Sequence, residues 1–137
     1  MISPSKTVIT SPTDCMSVKF IKVKGVNFLI CCQINACLVY NSNATRLLYK
    51  LDLKSSPEED LCFTTWFTCS SLAYSTDSGE EFIAVATSDG KIFRVSVQGG
   101  GASFTKEQSF TMGLTDAIMS MASDPKSKTL AVASGSG

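Results

Sequence analysis

The sequence contains no histidine. That absence removes Ser-His-Asp and Cys-His catalysis and every zinc site that uses an imidazole. There is also no block of one charge: 12 Lys and Arg stand against 12 Asp and Glu. A balanced chain without a basic stripe lacks the electrostatic footprint of a nucleic-acid binder. Its aromatic residues do not interleave with Lys or Arg as a base-stacking platform would require. Long apolar runs are missing too. The best, Phe28 to Cys32, has the length of a strand, far short of the ~18 residues that cross a bilayer. Met1 leads into Ile2-Ser3-Pro4-Ser5-Lys6-Thr7 without the apolar stretch of a signal peptide. The expectation is a soluble, cytoplasmic protein with no nucleic-acid and no membrane partner.

What remains is material for one core. The 137 residues are 44% hydrophobic, the size and composition of a single globular domain. Six cysteines are present: Cys15, Cys31, Cys32, Cys37, Cys62 and Cys69. An even number can mean disulfides in a secreted chain, but the secretory context is lacking. Cys31, Cys32 and Cys37 sit in apolar runs, where cysteine behaves as a small hydrophobe, so buried free thiols are expected. A four-cysteine metal site needs closely spaced pairs. Cys31 and Cys32 are adjacent, Cys32 and Cys37 are spaced C-x₄-C, and Cys62 to Cys69 is too wide. No metal ligands, cofactor-binding residues or catalytic residues are assigned.

Nearly all of the chain reads as short strands separated by turns. The first set is Met16 to Val23, Asn27 to Ile34, Cys37 to Asn41 and Arg46 to Leu53. Met16 to Val23 carries two interleaved apolar sets, and Asn27 to Ile34 is continuously apolar, as a strand covered on both faces is. Arg46 to Leu53 alternates, with Leu47, Tyr49, Leu51 and Leu53 on one face. A connection follows in which Ser56-Pro57-Glu58-Glu59 has the form of a capping box, predicting one helical turn. The second set is Thr68 to Tyr74, Glu81 to Thr87, Lys91 to Val97 and Ser103 to Phe110. The third opens at Met112 to Asp116 and contains Ala117 to Ala122 and Thr129 to Ala133.

The sets repeat. Phe82-Ile83-Ala84-Val85-Ala86-Thr87-Ser88-Asp89-Gly90 recurs as Thr129-Leu130-Ala131-Val132-Ala133-Ser134-Gly135-Ser136-Gly137. A spacing of about 47 residues lies within the range of repeat architectures. Antiparallel four-strand units in tandem, joined by short turns, are the pattern of propeller blades. A sandwich also has short strands but need not repeat the same order.

Several short motifs have plain structural readings. Gly99-Gly100-Gly101 joins strand to strand with no helix after it, so it is a hairpin loop rather than a phosphate cradle. Asp89 and Asp116 fall at turns, and turn chemistry accounts for them. Glu58-Glu59-Asp60 reads as a solvated helix start. Asn43-Ala44-Thr45 is a glycosylation triplet expected to be unused in the cytoplasm. Ser56-Pro57 followed by acids has the pattern of a phosphorylation site.

Gly113-Leu114-Thr115-Asp116-Ala117-Ile118-Met119-Ser120-Met121 resembles the Gly-His opening and first strand of a WD-repeat blade. Ser123-Asp124-Pro125 and Lys128 to Ser136 resemble that family's next turn and strand, and Leu72 to Ile92 resembles the same region one unit earlier. Val39-Tyr40-Asn41 occupies the Val-Trp-Asp slot. The resemblance covers roughly residues 15–137. Leu114 replaces the family's His, and Tyr40-Asn41 and Val95-Ser96 replace Trp-Asp; the single tryptophan, Trp66, lies elsewhere. The family's Trp-Ser-His-Asp network therefore cannot form.

The resemblance implies an all-β, partial WD-repeat β-propeller of about two and a half four-stranded blades. Blade 1 would span 15–53, the connection 54–66, blade 2 67–110 and a partial blade 3 111–137. Residues 1–14, with Lys6 to Thr10, would supply a candidate ring-closing strand. It further implies a non-catalytic scaffold or adaptor whose partners are other proteins, the ring being completed by further blades from a longer chain or from a partner. A ciliary or cytoskeletal setting is compatible with it. Two alternatives stay open: a small-molecule sensor or enzyme using the central channel, and a thiol-redox role through Cys31, Cys32 or Cys37.

Overall fold

The structure, a computed structural model, describes residues 15–52, 65–111 and 116–135. Lys6 to Thr10, the capping-box segment with Glu58 to Asp60, Cys62 and the Leu114 slot lie outside these residues. Among the described residues everything regular is β apart from one short 3-10 turn. Strands β1 (Cys15–Val23), β2 (Val26–Gln33), β3 (Ala36–Asn41) and β4 (Leu47–Asp52) form a first antiparallel sheet in sequence order. Strands β5 (Phe67–Tyr74), β6 (Glu81–Thr87), β7 (Lys91–Gln98) and β8 (Ser103–Thr111) form a second in the same order. Strands β9 (Ile118–Asp124) and β10 (Thr129–Ser134) form an antiparallel pair.

The turns explain the short connections. Lys24 and Gly25 both have positive φ, 51° and 84°, which a two-residue turn of the right twist for a hairpin requires. Between β6 and β7, Thr87 Oγ1 hydrogen-bonds the Asp89 carboxylate and accepts from Lys91 N at 3.1 Å, while Gly90 takes φ 86°. Asn41 closes the β3–β4 turn: its Oδ1 accepts from Thr45 N and Arg46 N at 2.9 and 3.0 Å. The loop at Gly99–Gly101 is a 3-10 turn rather than an open hairpin loop, with Gly100 at φ 66°.

Each middle strand is covered on both faces. One core joins the first sheet to the second, with Phe28, Ile30 and Cys32 of β2 against Ile83 and Val85 of β6. Val95 and Val97 of β7 belong to it too. A second core joins the second sheet to the β9–β10 pair, with Phe82, Ala84 and Ala86 on one side and Leu130 and Val132 packed against them. Strand β6 therefore gives alternate residues to different cores, which is why it reads as an unbroken apolar run.

One expectation changes. Alternation puts Leu47 on the same face as Tyr49 and Leu51, yet Leu47 is exposed while Leu51 is buried and Leu48 packs on the core. The register shifts between Val39 and Tyr40, where Tyr40 faces Leu47. Such a bulge reverses the faces of what precedes it. In addition, of the two apolar sets on β1, only Ile21 and Val23 are buried; Met16, Val18 and Phe20 are exposed.

Candidate functional site

The first strands of the three sheets, β1, β5 and β9, lie side by side. Their exposed sides enclose a groove of ≈ 340 Å³ lined by Met16 to Lys19, Thr68 to Ser70 and Met119 to Met121. A bulge positions these groups: Ser134 faces Ile118 and Ala133 faces Ser120, so Met119 is the extra residue and stays outside while Met121 and Ile118 both turn into the second core. Met16, Val18, Phe20 and Met119 are 47, 59, 64 and 63% exposed. Three large apolar side chains on β1 and one on β9 are more than the scattered singles of an ordinary surface.

The groove also has polar groups. Lys19 Nζ reaches across from β1 and donates to the Met121 carbonyl at 3.4 Å. Ser70 is 2% exposed, and its Oγ has no hydrogen-bond partner. A buried hydroxyl left unpaired is costly. Thr68 Oγ1 donates to Cys69 Sγ at 3.6 Å. Burial pushes the Cys69 thiol up, partly opposed by the Thr68 contact.

Cys15, Cys31, Cys32, Cys37 and Cys69 are all free thiols, Cys15 exposed and the other four buried. Cys32 and Cys37 face each other directly across β2 and β3. The hydrogen bond that the Cys37 thiol donates to Cys32, and then burial, hold Cys37 well above its ordinary value. Burial, reinforced by neighbouring Cys15 and Cys32, pushes Cys31 up to about 11. The structure brings Cys32 and Cys37 together but places Cys15 at the surface.

Asp89 sits in its turn, 3.8 Å from Lys91 Nζ, and Asp116 lies exposed at a bend before β9. Asn43 and Thr45 are tied into the β3–β4 turn, Thr45 Oγ1 donating to Asn43 Oδ1 at 2.7 Å. Among the described residues no group of three or more His, Cys, Asp or Glu gathers as a metal site would need, and no helix is long and apolar enough to cross a membrane.

Sequence reasoning did not single out Lys19, Ser70 or Met119. The doubled apolar set on β1 was the available signal, since both sets can be buried only when both faces of the strand are covered. No protein-family model matches the chain, and no curated protein is significantly similar to it.

Proposed function

We propose that this chain is part of an irregular WD-repeat-type β-propeller and acts as a non-catalytic protein-interaction scaffold, with the groove between β1, β5 and β9 as a contact surface. Two antiparallel four-stranded sheets in the same strand order, with their first strands adjacent, support the propeller reading. The observation that carries the interaction reading is the exposure of Met16, Val18 and Met119 along the groove, with Phe20 exposed farther along β1. Apolar side chains around a few polar groups suit a polypeptide partner. The partner would offer apolar side chains to Met16, Val18 and Met119.

Affinity capture with the wild-type chain and a Phe20→Glu/Met119→Glu variant tests this. Proteins retained by the wild type and lost by the variant support it; identical captures from both sink it. The polar groups in the same groove also favour a second reading, a small-molecule sensor. A saturable thermal shift with one metabolite class, abolished by Lys19→Met, would support that reading instead.

A further inference from the structure

The groove at β1, β5 and β9 is built from strand edges rather than from a sheet face. A face would contribute alternate residues of each strand. Here consecutive residues line the space, Met16 to Lys19, Thr68 to Ser70 and Met119 to Met121. Strands β1, β5 and β9 each lie at the edge of their sheets, and among the described residues no strand pairs with their outer edges. The edge of β5 lies between the other two, and its own sheet already has four strands. An open edge presents unpaired main-chain N–H and C=O groups. These stand here beside the exposed side chains of Met16, Val18 and Met119.

One charge enters the groove. Lys19 Nζ donates to the Met121 carbonyl at 3.4 Å. Among the described residues this ammonium has no carboxylate partner, whereas Lys24 pairs with Glu80 and Lys50 with Asp52. No Asp or Glu lines the groove. A carbonyl accepts a hydrogen bond from an ammonium but balances none of its charge. Burial raises the Cys69 thiol, and the Lys19 charge is among the influences that oppose this, so the ammonium acts over the middle strand. The hydroxyls of Ser17 and Ser120 belong to the same lining and add donors without adding negative charge.

We infer that the groove binds a small organic oxyanion, a carboxylate or phosphate monoester with an apolar body. Its charged end pairs with Lys19, and its body lies along Met16, Val18 and Met119. Charge complementarity sets the class. An anion balances the lone ammonium through a charge-assisted hydrogen bond, while a cationic ligand would meet it with repulsion. The volume of ≈ 340 Å³ is at the lower end for small-molecule sites, which suits one ring and one anionic group. This rests on the small-molecule reading of the groove and adds the class of ligand to it.

The test uses the full chain with probes that share one ring: benzoate, phenyl phosphate, benzyl alcohol and benzylamine. Calorimetry and amide chemical shifts follow their binding. The expected result is saturable binding of an anionic probe, about tenfold or more tighter than benzyl alcohol, weakened by added salt. The shifts should fall at residues 16–19, 68–70 and 119–121, and comparison of the two anions tells carboxylate from phosphate. Lys19→Met should abolish the preference and Lys19→Arg should keep it. Lys50→Met, which removes an equal charge from exposed Lys50 on β4, should leave it unchanged. Equal binding of benzyl alcohol, or a preference for benzylamine, would overturn the oxyanion class and leave the small-molecule reading standing. Failure of every probe to bind would remove both. An anion preference that survives Lys19→Met in a folded variant, or shifts confined to other strands, would equally overturn the inference.

Discussion

Gly101 lies against the ring of Phe28: a Cβ on this glycine would stand 3.0 Å from Phe28 Cε1 and 3.2 Å from Cζ. Its φ is 104°, a backbone region that side chains rarely adopt. Gly101→Ala is therefore expected to destabilise the fold by roughly 2–4 kcal/mol, combining backbone strain with a packing clash. Gly100 has φ 66° and nothing within 4 Å of the same position. Gly100→Ala should cost only about 1–2 kcal/mol, the left-handed penalty alone. Urea denaturation of both variants measures the difference, and equal losses would show that the Phe28 contact is unimportant.

Ile83 and Ala84 are both 0% exposed but face different cores. Ile83→Ala removes volume from the first core and is expected to cost about 2–5 kcal/mol. Ala84→Leu overfills the second core and is expected to cost about 1–3 kcal/mol. Amide exchange separates the two. Ala84→Leu should loosen β9 and β10 before β1 to β4, and Ile83→Ala should loosen β1 to β4 before β9 and β10.

Accessible thiols react and buried protonated thiols do not. In the folded protein, Cys15 is expected to be alkylated first, with Cys31, Cys32, Cys37 and Cys69 modified only on addition of denaturant. Residue-by-residue mass spectrometry gives the order. Fast modification of Cys32 or Cys37 in the native state would reopen the redox role and argue against the packing of β2 on β3.

The same thiols make stability depend on alkaline pH. The folded-state value for Cys31, about 11, lies above its ordinary 9.0. Above pH 9 the unfolded chain loses this proton while the folded chain keeps it, so stability falls as pH rises from 9.0 toward about 11. Cys37 and Cys69 are shifted upward too, and add in the same direction. Below pH 9 the contribution is fully present. Thermal melts between pH 8 and 11 should show a decline that Cys31→Ala makes shallower, and a pH-independent midpoint would contradict it.

Lys24 fastens the first sheet to the second. Its amide donates to Glu81 Oε1 at 2.9 Å, its Nζ donates to the Val97 carbonyl at 2.9 Å, and Nζ also pairs with Glu80. The Lys24 hydrogen bond and charge hold Glu80 below its ordinary 4.5. The pair therefore stabilises above that value and is lost as pH falls through the lowered one. Carboxyl NMR titration should find Glu80 returning toward 4.5 in Lys24→Met. The stability change should be small, because exposed ion pairs contribute little.

Much of the strand plan was legible because turns and periodicity agreed. Lys24-Gly25, Ser88-Asp89-Gly90 and Asp124-Pro125 bracket apolar runs whose ends match the observed strands within a few residues. The Leu47 face was not legible. A one-residue bulge leaves no mark on hydropathy, and RLLYKLDL supports either choice of inward leucine. The groove was partly legible. The surplus of apolar residues on β1 is visible in the sequence, but its meeting with Ser70 and Met119 depends on how three sheets sit together. Lys19 was unreadable for the same reason, since its partner is the Met121 carbonyl, far along the chain.

The divided allegiance of β6 has a consequence for assembly. Its bulkier residues, Ile83 and Val85, meet β2, and its small ones, Ala84 and Ala86, meet the later strands. Coupling in a stack of this kind passes between nearest neighbours, and it is unequal on the two sides of β6. The contact with β2 involves more and larger side chains, so it should close first and open last. The strands that emerge first from the ribosome thus make the firmer half, and they offer a finished wall on which β9 and β10 can settle as they are synthesised.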